Sequence, residues 1–300
     1  MATKTKRSKA RKTLTPEERQ ARVDALHAKI TAQVEQLRGS DEWARFLSYA
    51  RSFHSYSLNN LMLILAQREN ATQVAGYVKW RERGRQVRDG EKAINIFGYS
   101  QKRITETDEN GEESTRVIPR FPILSVFDIS QTDPIPGHPG VPENPVRQLT
   151  GDDDFGIVDD LTAHMTAQGW QVIREQLRDG FNGYASGERQ TIALNAAIAP
   201  AQAAKTMIHE VAHVTLGHTD DQADYVAHRG TREVEAESTA YIVAGALGLD
   251  TGSYSAGYIA GWAEKADADV MRETASRVLA AAQKIIEVLT PAAADHDLAA

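Results

Sequence analysis

Apolar residues at Val23, Leu26, Ile30, Val34 and Leu37 recur at three- and four-residue steps, which predicts an amphipathic helix. Its start is written just upstream. Thr15, Pro16 and Glu18 supply an N-cap threonine, a proline at the first helical position and a glutamate at the third, the pattern of a capping box. Gly39 is expected to stop it. Further helices are expected over 41–53 and 58–67. The rhythm then changes. Val78, Val87, Ile94, Ile96 and Phe97 sit among glycines and charges, and read as short strands joined by turns such as Arg88-Asp89-Gly90. Residues 104–116 are polar and are expected to be a loop or hairpin tip. Residues 117–128 read as a strand entering a core.

Half of the ten prolines fall in 133–145, which predicts a semi-rigid linker. Beyond it, a helix is expected near 157–168, strands at 170–174 and 191–195, and a helix over 201–216. A loop separates these from helices over 231–247, stopped by Gly248, and 266–289. In the last helix Met271, Ala275, Val278, Ala282, Ile285 and Leu289 alternate steps of four and three, a packing face. No internal repeat is visible. The expected organisation is a basic disordered tail over 1–15, a first domain over 16–132, a linker over 133–147 and a second domain over 148–300. The expected fold class is α+β in both domains.

Charge sharpens that division. The formal net charge is −7, but residues 1–103 hold 21 Lys+Arg against 10 Asp+Glu, and the rest hold 13 against 31. The basic part is suited to nucleic acid. There is no cysteine, so disulfides, thiol nucleophiles and thiolate metal sites are excluded, and any metal must be held by His, Asp or Glu. No run of 18 apolar residues spans a bilayer, and the basic N-terminus has no apolar segment of a secretory signal. A cytoplasmic protein with no membrane partner is expected.

The chemistry concentrates at His209-Glu210-Val211-Ala212-His213, an HExxH motif within an expected helix. A spacing of four puts both imidazoles on one helix face, where they can hold one ion. Glu210 is turned roughly 100° from His209 and so stands beside the ion, placed to take a proton from the attacking water. HExxH alone can also be a surface helix with satisfied histidines. What weighs against that is the next helix, where Glu233 and Glu237 share a face. One can ligate, the other can orient a ligand histidine. Glu235 points nearly the opposite way and is expected to be solvated or bonded to another side chain. Two imidazoles, a carboxylate and an open position suit zinc. His218, His228, Tyr184 and Tyr241 are the possible second donors to an oxyanion. The strand over 191–195 could be the edge along which an extended substrate lies.

HExxH followed by ExxxE, with Glu233 twenty residues after His213, resembles the gluzincin pattern of thermolysin and its relatives. It resembles still more the small zincin domains of the ImmA/IrrE type, matched at Glu233, Ala236 and Ala240. The chain departs from that pattern at Glu237, where Asn is common, and at Thr239, where Phe is common. The resemblance implies a zinc metallopeptidase with Glu233 as third ligand and Glu237 supporting a ligand.

In the basic half, Tyr56 and Asn60 lie in a polar-aromatic stretch. Lys79, Trp80, Arg81, Arg85, Arg88 and Lys92 cluster further on. Cations attract phosphates and aromatic faces stack on unpaired bases, so this set suits single-stranded DNA. Core packing competes for Trp80 and Tyr56, and a solvated face for the arginines. The order of Tyr56–Asn60, Leu63–Arg68, Gly76–Trp80, Gly84–Ile94 and Val126–Thr132 is similar to the N-terminal domain of ArdC-type antirestriction proteins, with Ala93 where that family usually has Gly. With the zincin half, the resemblance covers about 15–265. It implies single-stranded DNA binding and protection of mobile-element DNA from restriction. Two other readings remain open: a DNA-shielding protein whose zinc domain is not proteolytic, and an ImmA/IrrE-like peptidase that cleaves a repressor. All but the shielding reading imply a protein or peptide substrate.

Overall fold

The computed structural model describes residues 15–37, 40–107, 113–138, 154, 156–221, 225, 228–249 and 266–290. Residues 1–14 of the expected basic tail over 1–15, and 139–147 of the expected linker, lie outside them.

The first helix, α1 (Pro16–Gln36), begins as its sequence dictates. Thr15 Oγ1 accepts the Glu18 N–H at 3.2 Å, and Glu18 Oε2 accepts the Thr15 N–H at 2.8 Å. Its Leu26, Ile30 and Val34 are buried. The next helices are α2 (Ser40–Phe53) and α3 (Leu58–Gln67). In α3 six of ten residues are buried and apolar, so it lies inside the core rather than on it. There follow β1 (Val74–Gly76), α4 (Tyr77–Glu82), β2 (Arg85–Val87), β3 (Ile94–Phe97), β4 (Ser100–Thr107), β5 (Glu113–Arg120), β6 (Ile123–Asp128) and β7 (Thr132–Pro134). One antiparallel sheet has the order β1-β6-β3, and two ribbons pair β2 with β7 and β4 with β5.

Three expectations change here. Residues 77–82, read as strand, form a short helix. Trp80 is fully buried and its indole N–H donates to the Phe127 carbonyl at 2.8 Å, and that burial outweighs the strand preference of its neighbours. For 104–116 the loop alternative gives way to the hairpin one, with ladder pairs from Ile104↔Arg116 to Thr107↔Glu113. The expected linker starts too early, because Asp133 and Pro134 belong to β7. Pro134 ends a two-stranded ribbon, where its missing N–H breaks no ladder.

The second domain contains α5 (Ile157–Ala167), β8 (Gln171–Glu175), β9 (Gly183–Ser186), β10 (Thr191–Asn195), α6 (Pro200–Thr215), α7 (Arg229–Ala246) and α8 (Ala268–Leu289). Its sheet has the order β8-β10-β9, with β10 parallel to β8 and antiparallel to β9. All five positions of β10 are buried, as a central strand requires. The expectation that 191–195 forms the open edge is therefore corrected: β9 is the edge strand on the side of α6.

Helices weld the domains together. Trp43 on α2 donates to Ser238 Oγ on α7 at 3.2 Å, inside the core. Arg51 stands 5.6 Å from the Tyr241 ring centroid, and a Cβ at Gly245 would collide with the Arg51 side chain. Gln283 on α8 donates to the carbonyls of His54 and Tyr56 at 2.6 and 3.2 Å. One apolar core runs from Leu26 to Ile286. Among the described residues, no helix is long and apolar enough to cross a membrane.

Candidate metal centre

His209 and His213 project from α6 one turn apart, and their Nε2 atoms approach to 3.1 Å. Glu233, on α7, places Oε2 at 3.7 Å from His209 Nε2 and 3.8 Å from His213 Nε2. One ligand atom from each of these three residues lies within 4.8 Å of the others, close enough to share one ion. Glu237, a turn further along α7, places Oε2 at 3.2 Å from His209 Nδ1. The spacing of four in each motif therefore does what helical geometry requires: two imidazoles and two carboxylates converge from two packed helices. Of the two acids, Glu233 faces the shared point and Glu237 faces the back of His209.

The site is largely desolvated. Burial and the nearby Glu233 charge push the Glu210 carboxyl up to about 7, against the opposing pull of His209 and of a hydrogen bond from the Ala185 backbone. That backbone belongs to β9, so the edge strand runs beside Glu210. Burial lowers His209, but its bonds to Glu233 and Glu237 outweigh it and hold the imidazole up to about 10. His213 is pushed down to about 3 by burial and by the neighbouring His209 charge. Glu233 falls to about 2, because the adjacent His209 and the hydrogen bond from Tyr225 override its burial. These directions favour an imidazolium at His209, between two carboxylates, beside a neutral His213.

Glu235 is 4% exposed, so the solvated alternative is corrected and the bonded one holds. It faces His218 and Arg277. Tyr225, which no spacing marked, donates its hydroxyl to Glu233 Oε1. Of the four residues named as second donors, His218 meets the cluster from behind His213, at 3.0 Å. Tyr184 bonds to Glu175 and Arg189. Tyr241 packs against Arg51, and His228 precedes α7.

The basic-half residues do not form one surface. Trp80 is fully buried, so its ring cannot stack on a base. Tyr56 is half-buried, with its hydroxyl on the Val74 carbonyl at 3.4 Å. Asn60 clamps Phe97 through both its carbonyl, at 2.7 Å, and its N–H, at 2.9 Å. Arg85 binds Thr132 twice, and Arg88 binds Glu91, Asp133 and the Ser130 carbonyl. Lys79 lies 3.6 Å from Glu82. Arg81 and Lys92 are exposed. This corrects the stacking reading of Trp80; Tyr56, Asn60 and Arg85 are part-buried, with polar groups that also serve the fold. The exposed aromatic pair is instead Tyr99 and Phe121, 57% and 63% exposed with centroids 5.8 Å apart, beside exposed Arg120.

A two-domain α+β protein whose second domain brings an HExxH helix against a glutamate-bearing helix has a metallopeptidase-like fold. Residues 166–256 match the IrrE N-terminal-like domain of the M78 peptidase family, and residues 17–127 match the N-terminal domain of anti-restriction factor ArdC. The chain thus carries two domain matches, in the order of an ArdC-type architecture. An uncharacterized protein of Bacillus anthracis is 26% identical over 297 residues, covering 83% of this chain and 49% of its own length. The chain thus spans about half the length of that curated relative. Metal-free and Mn(II)-bound crystal structures of the antirestriction protein ArdC from plasmid R388 are each 21% identical, with a TM-score of 0.45. The alignments cover 78% and 80% of this chain, and 84% and 85% of theirs.

Proposed function

We propose that the second domain is a zinc-dependent peptidase centre and that the first binds single-stranded DNA, the two acting together in protecting mobile-element DNA from restriction. The observation that carries the first part is the convergence of His209, His213 and Glu233 on one point. The donor set fits: two imidazole nitrogens and one carboxylate oxygen are zinc's usual protein ligands at a catalytic site. Bound there, the ion would supply a Lewis acid to polarise a scissile carbonyl and acidify water.

The chain's own residues do the rest. Glu210, a buried carboxylate whose pKa burial pushes up to about 7, accepts a proton from the attacking water and returns it to the leaving amine. Glu237 accepts the Nδ1–H of His209 and so turns its Nε2 toward the shared point. Tyr225 holds the outer oxygen of Glu233. An extended peptide can add to the edge of β9 that no described strand pairs with, next to Glu210, by main-chain hydrogen bonds. For the first domain, the support is the excess of cations together with the exposed Tyr99, Phe121, Arg81, Lys92 and Arg120.

Glu210→Gln tests the reading in a restriction-protection assay in cells, with metal content measured on the purified variant. Protection lost while metal stays bound supports proteolysis. Protection that survives assigns the DNA-shielding role to the fold without proteolysis. A gel shift with oligo-dT over a salt series tests the DNA part, since phosphate contacts make affinity fall steeply with salt.

A further inference from the structure

We propose that His218, Glu235 and Arg277 form a positioning relay that locks the ring of His213 with its Nε2 lone pair turned to the metal. The proposal rests on the metal reading above and assigns three residues outside the HExxH and ExxxE ligand sets. It starts from the end of α6. Gly217 has φ +73°, the left-handed conformation that favours glycine, and it follows the helix C-cap Leu216. The His218 N–H bonds back to the His213 carbonyl at 2.9 Å and the Gly217 N–H to the Val214 carbonyl at 3.0 Å. This is a Schellman cap, and it folds the chain so that the residue after the glycine lies over His213.

The two rings then meet edge to edge, with Nδ1 of His213 at 3.0 Å from Nδ1 of His218. On the far side, His218 Nε2 is 2.8 Å from Glu235 Oε2. Glu235 in turn accepts from Arg277 Nε at 2.9 Å and from its terminal nitrogen at 3.3 Å. That nitrogen also donates to the Leu216 carbonyl at 2.9 Å, one of the unpaired carbonyls at the helix end. His218 and Glu235 are 1% and 4% exposed, so their bonds are made out of water.

With both imidazoles neutral, as a ligand His213 and the Arg277-compensated Glu235 require, proton counting leaves one arrangement. A neutral imidazole has one N–H and one lone pair. The carboxylate of Glu235 is an acceptor, so His218 must carry its proton on Nε2 and accept at Nδ1. His213 must then donate from Nδ1, which leaves its Nε2 unprotonated and facing His209 and Glu233. The reverse tautomers would set a lone pair against a carboxylate at 2.8 Å. Arg277 offsets the buried charge of Glu235 and keeps the chain of bonds in one direction. The two ligand histidines are therefore held by different means. His209 meets a carboxylate directly, whereas His213 meets one through a second imidazole.

The test titrates chelator-stripped full-length protein with cobalt(II), followed by visible absorption. The wild type takes up one equivalent. His218→Leu weakens cobalt binding about 10–100-fold and alters the absorption band, the usual effect of removing a partner behind a metal ligand. His218→Gln, whose amide offers one acceptor and one donor, restores most of the affinity and the band. Wild-type affinity and band in His218→Leu overturn the relay, as does a His218→Gln variant no better than His218→Leu. A wild type that takes up no cobalt overturns the metal reading itself, and the relay with it.

Discussion

The HExxH region and the basic first domain met the fold in opposite ways. In the second domain, residues marked by spacing came together. In the first, residues marked by type were scattered, and half of them were taken into the fold. The cause is physical. A spacing of four on a helix fixes a shared face whatever the tertiary structure, so His209 with His213, and Glu233 with Glu237, stay paired once each helix forms. A tryptophan or an arginine carries no such constraint. Trp80 has a large apolar ring and one N–H, and the core uses both. Asn60, Arg85 and Arg88 are strong hydrogen-bonding groups, and the ends of β3 and β7 and the turn before β7 recruit them.

That contrast can be broken most sharply at Trp80. Trp80→Ala is expected to cost about 3–5 kcal/mol of stability, read by thermal or urea unfolding, because a fully buried indole is lost. If Trp80→Ala keeps its stability and loses only DNA affinity, the ring is a stacking face after all. Asp128 comes next. Its carboxylate is fully buried; burial pushes its pKa up, but hydrogen bonds from Ser130, Thr72 and Gln73 outweigh that and hold it below the ordinary value. A lowered folded pKa contributes stability that is complete above the unfolded value of about 3.9 and is lost as pH falls through the folded one. Asp128→Asn should cost roughly 2 kcal/mol at neutral pH and flatten the acid limb of the stability curve.

A smaller effect is expected at the exposed pair. Phe121→Ala should leave stability within about 0.5 kcal/mol and weaken oligo-dT binding by about 1 kcal/mol, the low end of a base-stacking contact. An unchanged gel shift would remove Phe121 from the DNA face. The smallest change is at Arg81, where Arg81→Ala should lower the slope of log affinity against log salt by about one. A larger drop in affinity with the slope intact would point to a structural role instead.

Legibility in the sequence followed the same division. The capping box of α1, the bounds of α2 and α3 and the helices of the candidate metal centre were readable, because caps and periodicity are local. The edge strand β9 was not. Its four residues, Gly183-Tyr184-Ala185-Ser186, show no alternation, and their pairing with β10 is made by the fold. The role of Glu235 was half visible. The helical wheel turned it away from the ion, but could not show that the cap of α6 returns His218 to that same face of α7. Arg277 lies 42 residues from Glu235 in sequence, and only packing of α8 brings it there. Tyr225 had no spacing to mark it.

Metal stoichiometry tests the account most directly. Purified wild type, His213→Ala and Glu233→Ala are loaded with zinc, desalted and analysed for metal, with helical content checked by circular dichroism. One equivalent in the wild type and little in either folded variant is the expected result. A wild type without zinc, or a full equivalent retained by Glu233→Ala, would contradict a centre built from two turns of α6 and one carboxylate of α7.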